Sequence, residues 1–209
     1  MKNSNFAAVV RQRRMTRAFL PDPLPPTLIE TLIDLARRAP SAGNTAALEW
    51  LVLDTPEDLT NYWDTTLSPA RRKTFAWPEL LHAPAIVICW VDPERYLDRY
   101  READKAHLTL GDSLDAWPVP YWFVDGGAAV QTLLLAAQDA GLGALFFGLF
   151  NHESEVRKRF GVPPRQKAIG AVALGYRSTS KPSSSQKRQR KNLHELIHRG
   201  KWQTSDTRR

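Results

Sequence analysis

The chain has 209 residues, a net charge of +7, and 43% hydrophobic and 24% charged residues. That is the balance of a globular domain long enough to bury a core without disulfide staples. Its longest apolar run is far short of the roughly 20 residues of a membrane span, and its single cysteine excludes an internal disulfide framework. No apolar run before Arg14 is long enough for the core of a signal peptide, so a cytoplasmic protein without a signal peptide is expected. The charge is concentrated: nine Lys/Arg and two Asp/Glu follow residue 180, while the first 180 residues hold twenty of each sign. A basic segment can serve a nucleic acid, an anionic surface or the phosphate of a small ligand.

In chain order, residues 6–10 read as the end of a short first helix, which runs into the basic stretch 11–17. Prolines at 21, 23, 25 and 26 impose an extended connector. Thr27 with Glu30 three residues on has the form of a capping box, and Leu28, Ile29, Leu32, Ile33, Leu35 and Ala36 follow at helical spacing. The helix is expected to stop at Ala39-Pro40, before a polar loop at 41–45. Residues 50–53 and 85–91 read as strands, with Cys89 as a small buried hydrophobe. Residues 92–120 are charged and broken by prolines, which predicts a mobile excursion or lid. Residues 126–140 form a helix apolar nearly all round, hence buried on most sides, with Gly141 as its left-handed stop. Residues 144–148 and 169–176 read as interior strands, 183–185 as a linker, and 194–202 as a short helix or arm. Helices and strands mixed in this order predict an α+β or α/β layered domain.

The chain lacks a phosphate-binding loop of the Walker type, zinc-ligand spacing and a Gly-x-Ser-x-Gly nucleophile elbow. Gly141-Leu142-Gly143 stands at a helix end rather than a helix start, so it is no dinucleotide fingerprint. What the sequence does offer is arginines: Arg13, Arg14 and Arg17 near the start, and Lys187, Arg188 and Arg190 near the end. Guanidinium forks match phosphate oxygens, although such residues also make ordinary solvated surface. Anion-binding groups without a nucleophile, a metal site or an acid/base cluster predict a cofactor that performs the chemistry.

Five segments resemble the FMN-dependent nitroreductase family. Arg13-Arg14-Met15-Thr16-Arg17-Ala18-Phe19 is similar to its Arg-Arg-Ser-x-Arg-x-Phe opening, and Ala39-Pro40-Ser41-Ala42-Gly43-Asn44-Thr45 to its Ala-Pro-Ser-x-x-Asn loop. Residues 127–148 resemble its central apolar helix, Gly-Leu-Gly turn and strand. Gly175-Tyr176 resembles the end of its last core strand, and His198-Arg199-Gly200-Lys201-Trp202 its C-terminal His-Arg-Gly-Arg-Trp. Single motifs of this kind are weak, but these five span most of the chain in the right order.

The resemblance implies an α+β fold, a central mainly antiparallel sheet flanked by helices, in an intertwined homodimer. It implies an FMN site in which Arg13, Arg14, Met15 and Arg17 grip the phosphate. Pro40, Ser41 and Asn44 would reach the flavin from the partner subunit, and Phe146, Phe147, Gly148 and Leu149 would run along the ring. Arg188, Arg190 and Arg199 would add phosphate contacts. On this basis residues 1–180 form the FMN-binding domain, and residues 181–209 are a basic extension that completes the site and the dimer. The implied reaction is ping-pong: NADH or NADPH reduces the flavin, which passes electrons to a nitroaromatic, quinone or similar small acceptor. No side chain is expected to act as a catalytic acid or base, and no metal is expected. Trp117, Tyr121, Trp122 and Phe123 are candidates to line the acceptor pocket, with ordinary core or interface packing as their alternative.

Two segments depart from the family pattern. Met15 stands where a serine is usual, and Ala46-Ala47-Leu48 where Gln-Pro-Trp is usual. Neither removes the arginines, so FMN binding is expected to survive, while the reaction stays open to dehydrogenation, dehalogenation or flavin breakdown. A flavin-binding sensor without activity is a further alternative. A nucleic-acid arm after residue 180 is disfavoured by Leu193, Leu196, Ile197 and Trp202, which call for burial.

Overall fold

A computed structural model of the protein describes residues 5–179 and 188–202; the serine linker at 183–185 and Lys187 lie outside them. The chain divides into two units, parting after Thr179. In the first unit, strands β1 (Leu48–Leu53), β2 (Ala85–Val91), β3 (Gly143–Phe147) and β4 (Lys167–Gly175) form one antiparallel sheet in the order β1-β2-β4-β3. Helices α1 (Phe6–Gln12), α2 (Pro26–Ala36), α3 (Pro56–Thr66), α4 (Pro69–Lys73), α5 (Glu94–Arg101), α6 (Tyr121–Asp139) and α7 (Glu153–Phe160) surround it. Together with α8 (Leu193–Leu196) in the second unit, the described residues hold eight α-helices. None is long and apolar enough to cross a membrane.

The sheet's two faces follow from the alternation of side chains along a strand. Ala85, Val87 and Cys89 of β2, with Val172 and Leu174 of β4, pack against Ile29 and Leu32 of α2 and Val130, Leu133 and Leu134 of α6. Ile86, Ile88 and Trp90, with Ala171 and Ala173, face the opposite way onto Tyr62 and Trp63 of α3 and Val156 of α7. Every residue of β2 is therefore buried, and burying an Ile or Val side chain contributes about 1.5–3 kcal/mol. Burial also pushes the Cys89 thiol well above its ordinary pKa, which leaves it protonated and inert.

Local signals set the helix ends. Asn5 caps α1 by accepting from Ala7 N at 3.0 Å. Thr55 caps α3 by accepting from Asp58 N at 3.2 Å, with Pro56 in the first turn. Gly141, at φ +79°, provides the expected left-handed stop after α6.

Four expectations need correction. The Thr27–Glu30 capping box does not form: α2 starts at Pro26, whose missing N–H suits a first helical position, and no side chain caps it. Thr27 is thus already inside the helix, where its carbonyl accepts from the Thr31 hydroxyl. Residues 92–120 are not a bare excursion. Tyr96, Leu97 and Tyr100 of α5 are buried with Trp117 and Trp122 in a third core cluster. Helix α6 begins five residues before the expected start, taking in Tyr121 to Asp125. Among the described residues of the second unit, only Leu193–Leu196 is helical, and Leu193, Leu196, Ile197 and Trp202 are exposed.

Candidate functional site

The first motif lies at the C-terminal end of α1. There the chain leaves the helix and bridges in parallel to β3 through Met15 and Ala144, with Thr16 N donating to Ala144 O at 2.8 Å. Strand β3 is an edge of the sheet. On its outer side, among the described residues, this bridge at Ala144 is its one backbone pairing. The structure therefore brings two of the predicted segments together: Met15 and its arginines on one side, and the strand leading to Phe146, Phe147, Gly148 and Leu149 on the other. Met15 is half-buried and packs against both main core clusters. The thioether thus fills the seam between the first motif and the sheet.

The three arginines are in different situations. Arg13 is half-buried, and its Nη1 atom is buried without a hydrogen-bond partner. A buried guanidinium N–H is costly to leave unsatisfied, so this atom fits an anionic oxygen supplied by a ligand. Arg14 is exposed and donates to the carbonyls of Arg11 and Arg13 at 2.6 and 2.9 Å, which holds it at the helix end. Arg17 lies over the Trp77 ring at 5.3 Å, an attraction between cation and ring face. The donor set suits a phosphate, with Arg13 the member poised for it.

Past the bridge, Phe147 stacks on Trp63 (6.4 Å between centroids, 7° between planes). Phe146 packs toward the α2/α6 side, and Leu149 is buried. Sequence reasoning missed Phe150. Its φ of +46° is unusual for a bulky residue, its ring lies against Gly148, and 85% of it is exposed. The strain has no composition signal that could have revealed it.

The polar loop after α2 is held elsewhere in the first unit. Pro40 and Asn44 are exposed and Ser41 is half-buried. The Ser41 hydroxyl accepts from Ala46 N at 3.1 Å, and the Thr45 hydroxyl donates to Ala42 O at 2.6 Å. Ala42 N donates to the Asp125 carboxylate at 2.8 Å, and Arg99 Nε donates to Gly43 O at 2.8 Å. Asp125, Tyr96 and Arg99 were not among the predicted site residues.

Of the aromatic candidates, Trp117 and Trp122 are buried, with Trp117 Nε1 donating to Leu110 O at 2.8 Å. Tyr121 and Phe123 are exposed on the first turn of α6. The packing role weighed for these aromatics describes the two tryptophans, and an open surface role is left to the other two. In the second unit, Arg188, Arg190 and Arg199 are all exposed. No group of His, Cys, Asp and Glu suited to a metal occurs among the described residues.

A nitroreductase family model matches residues 10–176. The chain belongs to the nitroreductase family. Among curated relatives of this nitroreductase-family chain, a 4-nitrobenzoate reductase from Pseudomonas putida is 27% identical over 206 residues, covering 82% of the present chain and 85% of its own. A chain from Archaeoglobus fulgidus, provisionally named as an NADH dehydrogenase/NAD(P)H nitroreductase, is 25% identical over 172 residues, with coverage of 80% and 83%. Among solved structures, NfrA2 of B. megaterium superposes with a TM-score of 0.73 at 18% identity, over 97% of this chain and 77% of that one. A nitroreductase family protein from Streptococcus pneumoniae superposes with a TM-score of 0.70 at 19% identity, over 93% and 99%. These likenesses establish the fold as α+β of the nitroreductase kind.

Proposed function

We propose that this nitroreductase-family oxidoreductase uses FMN to pass electrons from NADH or NADPH to a nitroaromatic, quinone or similar acceptor in alternating half-reactions. The observation that carries the reading is the unpartnered, buried Arg13 Nη1 beside the bridge that seats the first motif on the open edge of β3. When bound, FMN would supply the redox chemistry that no side chain of this site can perform. Arg13 would bind the phosphate, assisted by Arg14 and Arg17, with Met15 sealing the seam behind them. The backbone of Phe146, Phe147, Gly148 and Leu149 would offer fixed N–H dipoles along the ring, donors that need no reorganisation when negative charge develops. Pro40, Ser41 and Asn44 would serve the site of a second copy, and Arg188, Arg190 and Arg199 would add positive charge for the phosphate. Tyr121 and Phe123 present apolar rings to a planar acceptor.

The protein is proposed to act as a homodimer, a reading supported by the exposed Leu193, Leu196, Ile197 and Trp202. A monomer that leaves such side chains in water carries surface suited to association. The names of the curated relatives support the acceptor class and the nicotinamide donor.

An absorbance spectrum of the purified protein, repeated after adding FMN and then NADH or NADPH under argon, tests the reading. Flavin that co-purifies or binds and is then bleached supports it. Bound flavin that neither nicotinamide bleaches points to a sensor or another donor, and failure to bind FMN in excess overturns the proposal.

A further inference from the structure

The 41–46 loop adopts a conformation that it could not hold unaided. Gly43, Asn44 and Ala46 all have positive φ (63°, 56° and 49°). Asn tolerates this region, but Ala does not favour it, and strained backbone persists only where its surroundings over-determine it. Here three groups from the first unit's other elements do so. The Tyr100 ring lies so close to Gly43 that a Cβ there would stand 2.9 Å from it. Arg99 Nε binds Gly43 O, while its guanidinium is fixed by Asp104 at 2.7 and 2.9 Å and by Glu102 at 3.1 Å. Finally, one oxygen of Asp125 accepts from both Ala42 N and the Tyr96 hydroxyl, each at 2.8 Å.

Asp125 is 5% exposed. A polar group at such depth depends on its hydrogen bonds, and here one comes from the loop itself and the other from α5. Burial, and Asp125 beside it, keep the Tyr96 hydroxyl protonated and hence a donor. The arrangement ties the start of α6, α5 and the loop into one hub.

We propose that Asp125, with Tyr96, is a positioning residue of the flavin site: it locks the Ser41–Asn44 segment into the strained conformation that engages the cofactor, and thereby makes α5 part of the redox machinery. The proposal rests on the FMN reading above. Neither residue touches the reacting atoms; each acts through the loop.

The test compares full-length wild-type protein with Asp125→Ala, Asp125→Asn and Tyr96→Phe. Two quantities are followed: amide hydrogen exchange of the 40–47 segment without flavin, and FMN titration with the kinetics of bleaching by NADPH. Asp125→Ala should speed exchange in the segment and weaken FMN affinity on the order of tenfold or more, the scale of a lost charge-assisted hydrogen bond. Asp125→Asn, whose amide oxygen can still accept from Ala42 N, should recover part of both. Tyr96→Phe should fall between wild type and Asp125→Ala, and it carries the test with Asp125→Asn if the alanine variant does not fold. Unchanged exchange in these variants overturns the clamp. Faster exchange with unaltered FMN affinity and bleaching overturns the positioning role. Wild-type protein that binds no FMN overturns the functional reading as well, and the exchange data then report on the clamp separately.

Discussion

Strand β2 and the C-terminal residues 193–202 are both rich in apolar side chains, yet they use them in opposite ways. All seven residues of β2 are buried between helices on both faces of the sheet. In the C-terminal unit, Trp202 is 81% exposed and Leu193 71%. The first segment is completed by its own chain, and the second has the composition of a core without one. Hydrophobic sequence therefore reports a demand for burial, but it does not say which chain meets the demand. The 41–46 loop stands between these cases: its backbone is strained, and the groups that hold it come from α5 and α6.

The sharpest way to break the contrast is to cut into each segment. Ile88→Ala should lower folding stability by about 2–5 kcal/mol, as large-to-small changes in a packed core do, measured by chemical denaturation without flavin. Trp202→Ala should leave that stability unchanged and instead shift the equilibrium to monomer, seen by sedimentation across a dilution series. If Trp202→Ala lowers the stability of the body while the oligomer persists, the arm is core after all.

The next effect falls on the ligand. Arg13→Gln should weaken FMN binding by about 1.5–3 kcal/mol, the range for hydrogen bonds to charged groups, in a fluorescence titration with little change in melting temperature. Gly43→Ala probes the intermediate case. It adds a side chain at positive φ and against Tyr100, so a loss of about 1–3 kcal/mol is expected from local strain, read by denaturation.

The smallest effect is on acid stability. The Arg99 guanidinium hydrogen-bonds the Asp104 carboxyl and holds it at about 2, below the ordinary carboxylate range. A carboxylate with a depressed folded pKa stabilises the protein above its unfolded pKa, and the contribution is lost as pH falls through the folded value. Wild-type protein should therefore melt slightly above Asp104→Asn near neutrality, with the difference shrinking below about pH 4 and vanishing only below about pH 2. Melts that stay equally separated at neutral pH and at about pH 1 would sink this assignment.

Much of the body was legible in the sequence because its signals are local. The β-branched run at 85–91 has the bounds of β2 itself, and the arginines of the first motif stand beside the sheet edge. The failures have equally physical causes. Pro26 starts α2 before Thr27 could cap it. In α5 the apolar Tyr96, Leu97 and Tyr100 are interleaved with Arg95, Asp98, Arg99 and Arg101, so charge obscured a stripe at helical spacing. Asp125 was missed because a helix read as apolar nearly all round was begun one residue after its buried carboxylate. The strain of Gly43, Asn44 and Ala46 is a property of dihedral angles that distant partners enforce, and composition does not record it.

The sealed environment of Cys89 has a practical consequence. With the single native thiol buried and its ionisation suppressed, maleimide reagents meet no competing accessible thiol on the folded protein. A cysteine introduced at an exposed position such as Phe150 would take a spin label or fluorophore selectively, with the native sequence otherwise intact. Paired labels could then measure the distance between copies of the chain and follow it as flavin and nicotinamide are added.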